Sequence, residues 1–166
     1  MNIGFISVAP PFRGGISKHT SILVQKLRIY HSVDVINYSR QYPSFIFPGK
    51  TQYVEPSSND ENDRCIDSIN PITWLRTGNK LAKKKYDLII FRYWNPFFAP
   101  SLGFIANIVK KKSSNTKLVS LCDNILPHES VPMGIFFTKF LLRKLDGHIV
   151  QSTQTENELH EMVCSP

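Results

Sequence analysis

Two adjacent glycines near the start of the chain have the character of an anion-binding loop. Gly14 and Gly15 follow a short β-rich run, Asn2 to Val8, and precede a run from Ile16 to Leu27 with the apolar spacing of a helix. Glycine reaches positive φ without a Cβ clash and lets a ligand approach bare backbone N–H groups. At a helix N-terminus these groups favour an anion. The residues therefore predict a phosphate contact, and a tight strand-to-helix turn without a ligand remains the alternative.

Two more specific nucleotide motifs are incomplete in this sequence. The glycine loop lacks the third glycine of the dinucleotide-binding fingerprint, and Lys18 and His19 occupy that region instead. Gly49-Lys50-Thr51 resembles the end of a P-loop, but Ser44 stands where that motif requires its first glycine. We therefore expect no nucleotide hydrolysis at Gly49-Lys50-Thr51.

An aromatic segment follows a run that is predicted to be a buried strand. The run from Tyr86 to Tyr93 has four consecutive apolar residues at its centre, as is typical of a strand buried on both faces of a parallel sheet. Trp94 to Pro100 comes next, at the carboxyl end of this strand, where open α/β sheets bind ligands. Its aromatic rings either stack on a sugar ring or an acyl chain, or are buried against the next helix, and both interpretations stay open.

These segments need a scaffold, and the pattern predicts a doubly wound α/β domain. Strand-like and helix-like runs alternate, and right-handed crossovers between them give a Rossmann-like parallel sheet with helices on both faces. Residues 39–74 hold several prolines and a polar patch and are predicted to be irregular. Further strands are predicted over 33–38, 117–122 and 147–151, and helices over 71–85, 101–112 and 133–145.

The same spacing predicts which helical residues face the core and where the last helix starts. In the helix within 71–85, we expect Ile72, Leu75, and Leu81 or Ala82 to point inward. Ser152 or Thr153 is expected to cap a final helix. Thr153 and Glu156 have the spacing of a capping box.

Composition indicates a globular domain of ordinary size. The chain has 166 residues, 42% hydrophobic and 20% charged, which suits one domain with a full core. Its three cysteines are widely spaced and predict neither a disulfide framework nor a zinc site. It contains no apolar run long enough to span a membrane and no secretion signal at its start, so we expect a cytoplasmic location.

The net charge of +7 suits a polyanion, an anionic membrane surface or a phosphorylated substrate. The basic residues cluster in three short runs near the ends of predicted helices: 83–85, 110–112 and 143–144. Such runs are also explained by the preference of cations for helix C-termini and solvated faces. Nucleic-acid binding is disfavoured because the chain has no recognisable helix-turn-helix, RNP or zinc pattern.

Several segments, taken in order, resemble the N-terminal domain of a family-4 (group 1) retaining glycosyltransferase of the GT-B fold. They are the opening run through Gly14-Gly15-Ile16 and His19, residues 42–53, the loop 93–97, the segment 123–129, and the strand 145–152. The resemblance implies two Rossmann-like domains that face each other across a cleft. Residues 1–166 would form the acceptor-binding domain, and the C-terminal domain that holds the nucleotide-sugar donor would be absent from this chain.

The resemblance also implies roles for particular residues. Donor phosphate contacts would come from Gly14 and Gly15, catalytic groups from Asp123, His128 and Glu129, and acceptor contacts from His19, Tyr93, Trp94 and Asn124. The family commonly has a His where Asp123 stands, and an ionised Asp accepts hydrogen bonds but cannot donate them. For two of these groups a structural role stays open. His128 and Glu129 would then cap the following turn, and His19 would make a structural hydrogen bond.

The implied reaction transfers a sugar from a nucleotide-sugar to an acceptor hydroxyl with retained stereochemistry. The acceptor would be a sugar, a lipid-linked acceptor or a polysaccharide precursor, and neither a metal nor another cofactor is required. Without the donor domain, the fragment alone is expected to be inactive. A free-standing Rossmann-like binding or regulatory module without catalysis is the alternative, because fold alone does not fix function.

A membrane surface is a further expected partner. In the helix 133–145, Phe136 and Phe140 share one side, close to Arg143, while Phe137, Leu141 and Leu145 form an adjacent stripe. One stripe could serve the core and the other could meet anionic lipid, or both could be core. This choice depends on the structure.

Overall fold

The computed structural model describes residues 1–43, 63–125 and 133–164. This part of the chain forms six strands and five α-helices. The strands are β1 (Asn2–Ile6), β2 (Ser32–Arg40), β3 (Asp63–Asp67), β4 (Leu88–Tyr93), β5 (Lys117–Cys122) and β6 (Gly147–Val150). The helices are α1 (Gly15–Leu27), α2 (Pro71–Lys84), α3 (Ala99–Lys112), α4 (Gly134–Leu142) and α5 (Thr153–Cys164).

All six strands form one parallel sheet in the order β3-β2-β1-β4-β5-β6. This is the strand order of a Rossmann-like doubly wound fold. Each described connection between neighbouring strands contains a helix that brings the chain back to the edge of the sheet where the previous strand began. The next strand therefore runs in the same direction as the previous one. The predicted fold class is therefore confirmed.

The core consists of two layers, one on each face of the sheet. Ile89, Phe91 and Tyr93 of β4 belong to the larger core, which α2, α3, α4 and α5 cover. Ile90, on the other face, packs with residues of β1 and β2 beneath α1. Because side chains alternate along a strand, the next residue on the α1 face is Arg92, a charged side chain that is also buried.

Two helices start on side-chain caps. Asn70 caps α2, since its side-chain oxygen accepts a hydrogen bond from Ile72 N at 3.0 Å. At α5, Ser152 Oγ accepts from Thr155 N at 3.2 Å. Ser152 is therefore the cap, and the capping-box pairing of Thr153 with Glu156 is wrong by one position.

The structure corrects three further expectations. Part of the region predicted to be irregular is ordered, since β3 lies within it and α2 begins at Pro71. The segment after β4 forms a short 3₁₀ turn over Pro96–Phe98 and then enters α3 at Ala99. Leu81 and Ala82 are buried as expected, but Ile72 and Leu75 are 58% and 49% exposed, because the inward side of α2 starts at Thr77.

Three remaining sequence features have simple outcomes. Gly49-Lys50-Thr51 lies outside the described residues. Cys65 and Cys122 are free thiols. In the described parts of the chain, none of the helices has both the length and the apolar character needed to cross a membrane.

Candidate functional site

The candidate site lies at the carboxyl edge of the sheet, where the loops after β1, β4, β5 and β6 meet. From β1 the chain moves to β2 on one side, and from β4 it moves to β5 on the other. The edge between β1 and β4 is therefore the topological switch point, which is where ligands bind in open α/β sheets. Both the glycine loop and the start of α1 are at this point.

The glycine loop is open to solvent and has no side-chain cap. Gly14 has φ 119° and stands immediately before α1 as its N-cap residue, which makes no side-chain cap hydrogen bond. A Cβ added at Gly14 or Gly15 would meet nothing within 4 Å. Only Gly14 needs the left-handed region. At Gly15, by contrast, a side chain would simply fill the space in front of the helix N-terminus. The loop therefore has the room and the polarity for an anion.

The start of this loop is fixed by Asn37 on β2. Its side-chain amide donates to Ala9 O at 2.9 Å and to Pro10 O at 3.0 Å, and its Oδ1 accepts from Ala9 N at 3.2 Å. Asn37 is fully buried, and so is Phe12 in the loop itself. The loop is thus anchored to the sheet before it reaches the glycines.

Arg92 is the centre of a polar network beside the loop. Its guanidinium donates to both oxygens of Asp123, with Nε–Oδ2 and Nη2–Oδ1 distances of 2.8 Å each. Nη2 also lies 2.8 Å from Nδ1 of His19, and Nη1 lies 3.3 Å from Oγ1 of Thr20 and 3.5 Å from the carbonyl oxygen of Ile16. The side chain of Arg92 is only 3% exposed, so this charge is held inside the protein by its partners.

The contact with Arg92 fixes the hydrogen-bonding character of His19. A guanidinium can only donate, so Nδ1 of His19 must accept, and in the neutral ring the proton is then on Nε2. His19 is exposed at the fifth residue of α1. Its ring is therefore oriented by a buried group and offers an N–H donor at the edge of the site. The structural hydrogen bond expected for His19 is present, and its second nitrogen is left for a ligand.

Asp123 acts first as the counter-charge of Arg92. Besides its two contacts with Arg92, its Oδ1 accepts from Nε2 of Gln151 at 2.7 Å. Its side chain is 20% exposed. A carboxylate has about four acceptor positions, and donors among the described residues fill three of those of Asp123. The neighbouring Asn124 is exposed.

The structure removes Tyr93 from the site. The side chain is 0% exposed, and its hydroxyl lies 2.7 Å from Oγ1 of Thr138 on α4. Burial also raises the pKa of Tyr93. Tyr93 fails as an acceptor-binding residue because the period-2 alternation of β4 points it into the larger core rather than towards Arg92 and the α1 face.

Trp94 is half-buried and belongs to an aromatic cluster. Its ring centroid lies 4.4 Å from that of Phe98 and 6.3 Å from that of Tyr38. Tyr42 and Phe97 stack at 5.4 Å in the same cluster. The rings after β4 therefore pack on one another and on Tyr38 and Tyr42, and Phe98 is buried while Trp94 and Phe97 are half-buried. Tyr93 and Trp94 are the two aromatic residues predicted to bind the acceptor. Since Tyr93 is buried, only the accessible part of Trp94 could take that role.

The remaining predicted catalytic residues and the thiol groups add little to the described site. His128 and Glu129 lie outside the described residues.

Burial raises the pKa of the Cys122 thiol to about 11, so this thiol is protonated near neutral pH. Within the described ranges, no group of three or more His, Cys, Asp or Glu side chains could hold a metal ion.

Sequence reasoning missed Arg92 and Gln151. The available signal for Arg92 was a charge inside the buried run from Leu88 to Tyr93, since a buried cation requires a partner. Its partners His19 and Asp123 are 73 and 31 residues away. No local spacing links such distant residues, and the parallel sheet is what brings them together.

Comparison with known proteins gives no information about function. The chain matches no protein-family model and no curated protein. Among solved structures, CetZ from Methanosaeta thermophila strain DSM 6194 aligns with 98% of this chain at 11% identity and a TM-score of 0.48. The chain spans about half of that protein, 51% of its length. A similarity at this level carries no argument about activity.

Proposed function

We propose that the chain is the acceptor-side half of a retaining glycosyltransferase of the GT-B fold. The observation that carries this proposal is the pairing, at one switch point, of an open glycine loop with a histidine oriented by a buried arginine. The loop offers backbone N–H groups to a phosphate, and His19 offers an N–H to a hydroxyl or phosphoryl oxygen. A nucleotide-sugar and an acceptor alcohol present these two kinds of group.

In the proposed reaction, negative charge develops on the leaving nucleoside diphosphate. Donors that are fixed before the reaction stabilise such charge most effectively. Gly14 and Gly15 would supply N–H groups at the positive end of α1, and Asn37 holds their loop in place. His19, Asn124 and the last acceptor position of Asp123 would orient hydroxyl groups. A donor-binding domain, outside this chain, would hold the nucleotide.

The experiment is an assay of the protein encoded by the complete reading frame that contains this chain. Nucleoside diphosphate release is measured with a panel of nucleotide-sugars, with and without sugar or lipid-linked acceptors. We expect Gly15→Val to lower kcat/KM by about 100-fold or more, the effect of losing a transition-state donor. The thermal midpoint should hold, because the added side chain meets open space.

Gly147→Ala is the matched control. Its added Cβ would make only an ordinary contact, 3.8 Å from Val119, at the start of β6 and far along the chain from the loop. It should leave transfer unchanged. Full activity of Gly15→Val would reduce the loop to a turn. Absence of transfer with every donor, combined with tight binding of a ligand, would favour the non-catalytic binding module.

A further inference from the structure

Gln151 is the outermost member of the polar network around Arg92. It follows β6 and lies level with Asp123, because Cys122 and Val150, one position earlier, are partners in the sheet. Nε2 of Gln151 lies 2.7 Å from Oδ1 of Asp123, and the Gln151 side chain is exposed. A hydrogen bond to a carboxylate is stronger than one between neutral groups. The bond therefore holds the long Gln151 side chain in one orientation at the surface.

The contact with Asp123 determines which atoms of the Gln151 amide remain for a ligand. A carboxylate that pairs with a guanidinium only accepts hydrogen bonds, so the amide turns its nitrogen towards Asp123. This leaves the carbonyl oxygen Oε1 and the second N–H of the amide. Among the described residues, none donates a hydrogen bond to Oε1. Gln151 thus offers one acceptor and one donor, close together, at the carboxyl edge of the sheet.

The network is electrically balanced at its Gln151 end and cationic at its glycine end. Arg92 and Asp123 neutralise each other through two contacts of 2.8 Å. Residues 152–155, which follow Gln151, carry no charge. At the other end, the exposed side chain of Arg13 immediately precedes the two glycines at the start of α1. The glycine end therefore favours an anion, and the Gln151 end favours a neutral polar group.

The two ends of the network are well separated across the sheet. Arg92 lies on β4 and Gln151 follows β6, with β5 between these strands. Neighbouring strands are about 4.8 Å apart, so the two positions are about 10 Å apart across the sheet. The glycine loop follows β1, which is one strand further from Gln151. An anion at the glycines and a group at Gln151 therefore belong to distant parts of one ligand or to two molecules.

We propose that Gln151 is a specificity residue that binds a saccharide through a neutral group with an acceptor and a donor close together. The hydroxyl groups of a sugar and the acetamido group of an amino sugar both have this character. Either group can use Oε1 and the free N–H of Gln151 at once, whereas an ionised phosphate or carboxylate has no donor for Oε1. The assignment of this saccharide to the acceptor of the reaction rests on the proposed glycosyl transfer. The contact itself is a property of this chain.

Titration of the chain with simple glycosides, followed by two-dimensional amide NMR spectroscopy, tests the contact directly. The probes are methyl glucoside, methyl N-acetylglucosaminide and inorganic phosphate. We expect at least one glycoside to shift the side-chain amide signal of Gln151 in a saturable way. Phosphate should leave this signal in place and should shift the backbone signals of Gly14 and Gly15 instead. A larger shift with the N-acetylated glycoside would identify the acetamido group as the preferred partner, and equal shifts would identify the hydroxyl groups.

Two leucine variants separate a specific contact from a general surface effect. Gln151→Leu removes both polar atoms of the amide with little change in size, and should weaken glycoside binding by about 3- to 10-fold, the effect of one or two neutral hydrogen bonds. Gln154→Leu is the matched control, because Gln154 is also exposed and its Nε2 donates to Glu158 at 3.0 Å. The control should bind glycosides like the original chain. Circular dichroism should show that both variants remain folded.

The proposal is overturned if neither glycoside binds up to its solubility limit, or if glycosides bind without shifting the Gln151 signal. Equal effects of Gln151→Leu and Gln154→Leu would also overturn it. In the protein encoded by the complete reading frame, Gln151→Leu should raise the KM for the acceptor and leave the KM for the nucleotide-sugar unchanged. Glycoside binding at Gln151 in a protein that transfers no sugar would keep the contact and remove the proposed glycosyl transfer. Transfer that is indifferent to Gln151→Leu would do the opposite.

Discussion

The buried pair of Arg92 and Asp123 allows a sharp prediction about which partner costs more to remove. The side chain of Arg92 is 3% exposed and that of Asp123 is 20% exposed. Breaking a buried ion pair from one side typically costs about 3–5 kcal/mol, because the remaining charge has no partner. The cost should therefore be larger when the more deeply buried charge is the one left behind.

Asp123→Ala leaves Arg92 without its counter-charge, and the remaining acceptors among the described residues are Thr20, His19 and the carbonyl oxygen of Ile16. We expect a loss near the upper end, about 4–5 kcal/mol of unfolding free energy. Arg92→Met leaves Asp123 with Gln151 and with water at its exposed part, so a loss near the lower end is expected, about 3 kcal/mol. The double variant Arg92→Met with Asp123→Ala should lose less than the sum of the two, because neither charge is then unpaired.

Urea unfolding of the chain, followed by circular dichroism, measures all three variants. Gln151→Ala is a useful control, since it removes one hydrogen bond of Asp123 and should cost only about 1 kcal/mol. The reasoning is refuted if Arg92→Met destabilises more than Asp123→Ala, or if the two effects simply add. Either result would mean that the pair is not a coupled buried unit.

Two further predictions concern packing and pH. Gly103→Ala should lower the unfolding free energy, measured in urea, by about 1–3 kcal/mol, because the added methyl group overpacks against Phe140. This loss outweighs the better helix propensity of Ala. Adding Phe140→Leu to the Gly103→Ala variant should recover part of the lost stability. Burial lowers the pKa of His148 below its usual 6.5, and Nδ1 of this ring lies 2.8 Å from Oγ of Ser120. Folding thus favours the neutral ring, so the stabilisation is complete above the ordinary pKa and is lost as the pH falls below it. Unfolding midpoints at pH 7.5 and 5.5 should differ less in His148→Gln, and an unchanged difference would contradict this.

The strands and most helices could be predicted because their signals are local. The apolar runs of β4 and β5, and the spacing of α1, are complete within a few residues. β3 was missed because its sequence, Asp63–Asp67, is mostly polar and becomes a strand only by pairing with β2. The orientation of α2 was misjudged because Ile72 and Leu75 are apolar by type, while the burial of a side chain is decided by the neighbouring helix.

The candidate site was predictable in its loop but not in its centre. The Gly14-Gly15 pair identifies the turn, but the sequence does not distinguish the two glycines, and only Gly14 has a positive φ in the structure. Asp123 was singled out as a catalytic group, but its main contact, Arg92, belongs to a different strand. Which groups neutralise each other depends on strand order, and strand order is a property of the whole sheet.

The hydrogen bonds from Asn37 to the loop after β1 affect what ligand binding would cost. Ordering a residue's backbone costs about 1–2 kcal/mol, and for this part of the loop that cost is met when the protein folds. If an anion binds at Gly14 and Gly15 as proposed, the part of the loop at Ala9 and Pro10 needs no further ordering on binding. A buried amide on the neighbouring strand would then contribute to the affinity for the anion.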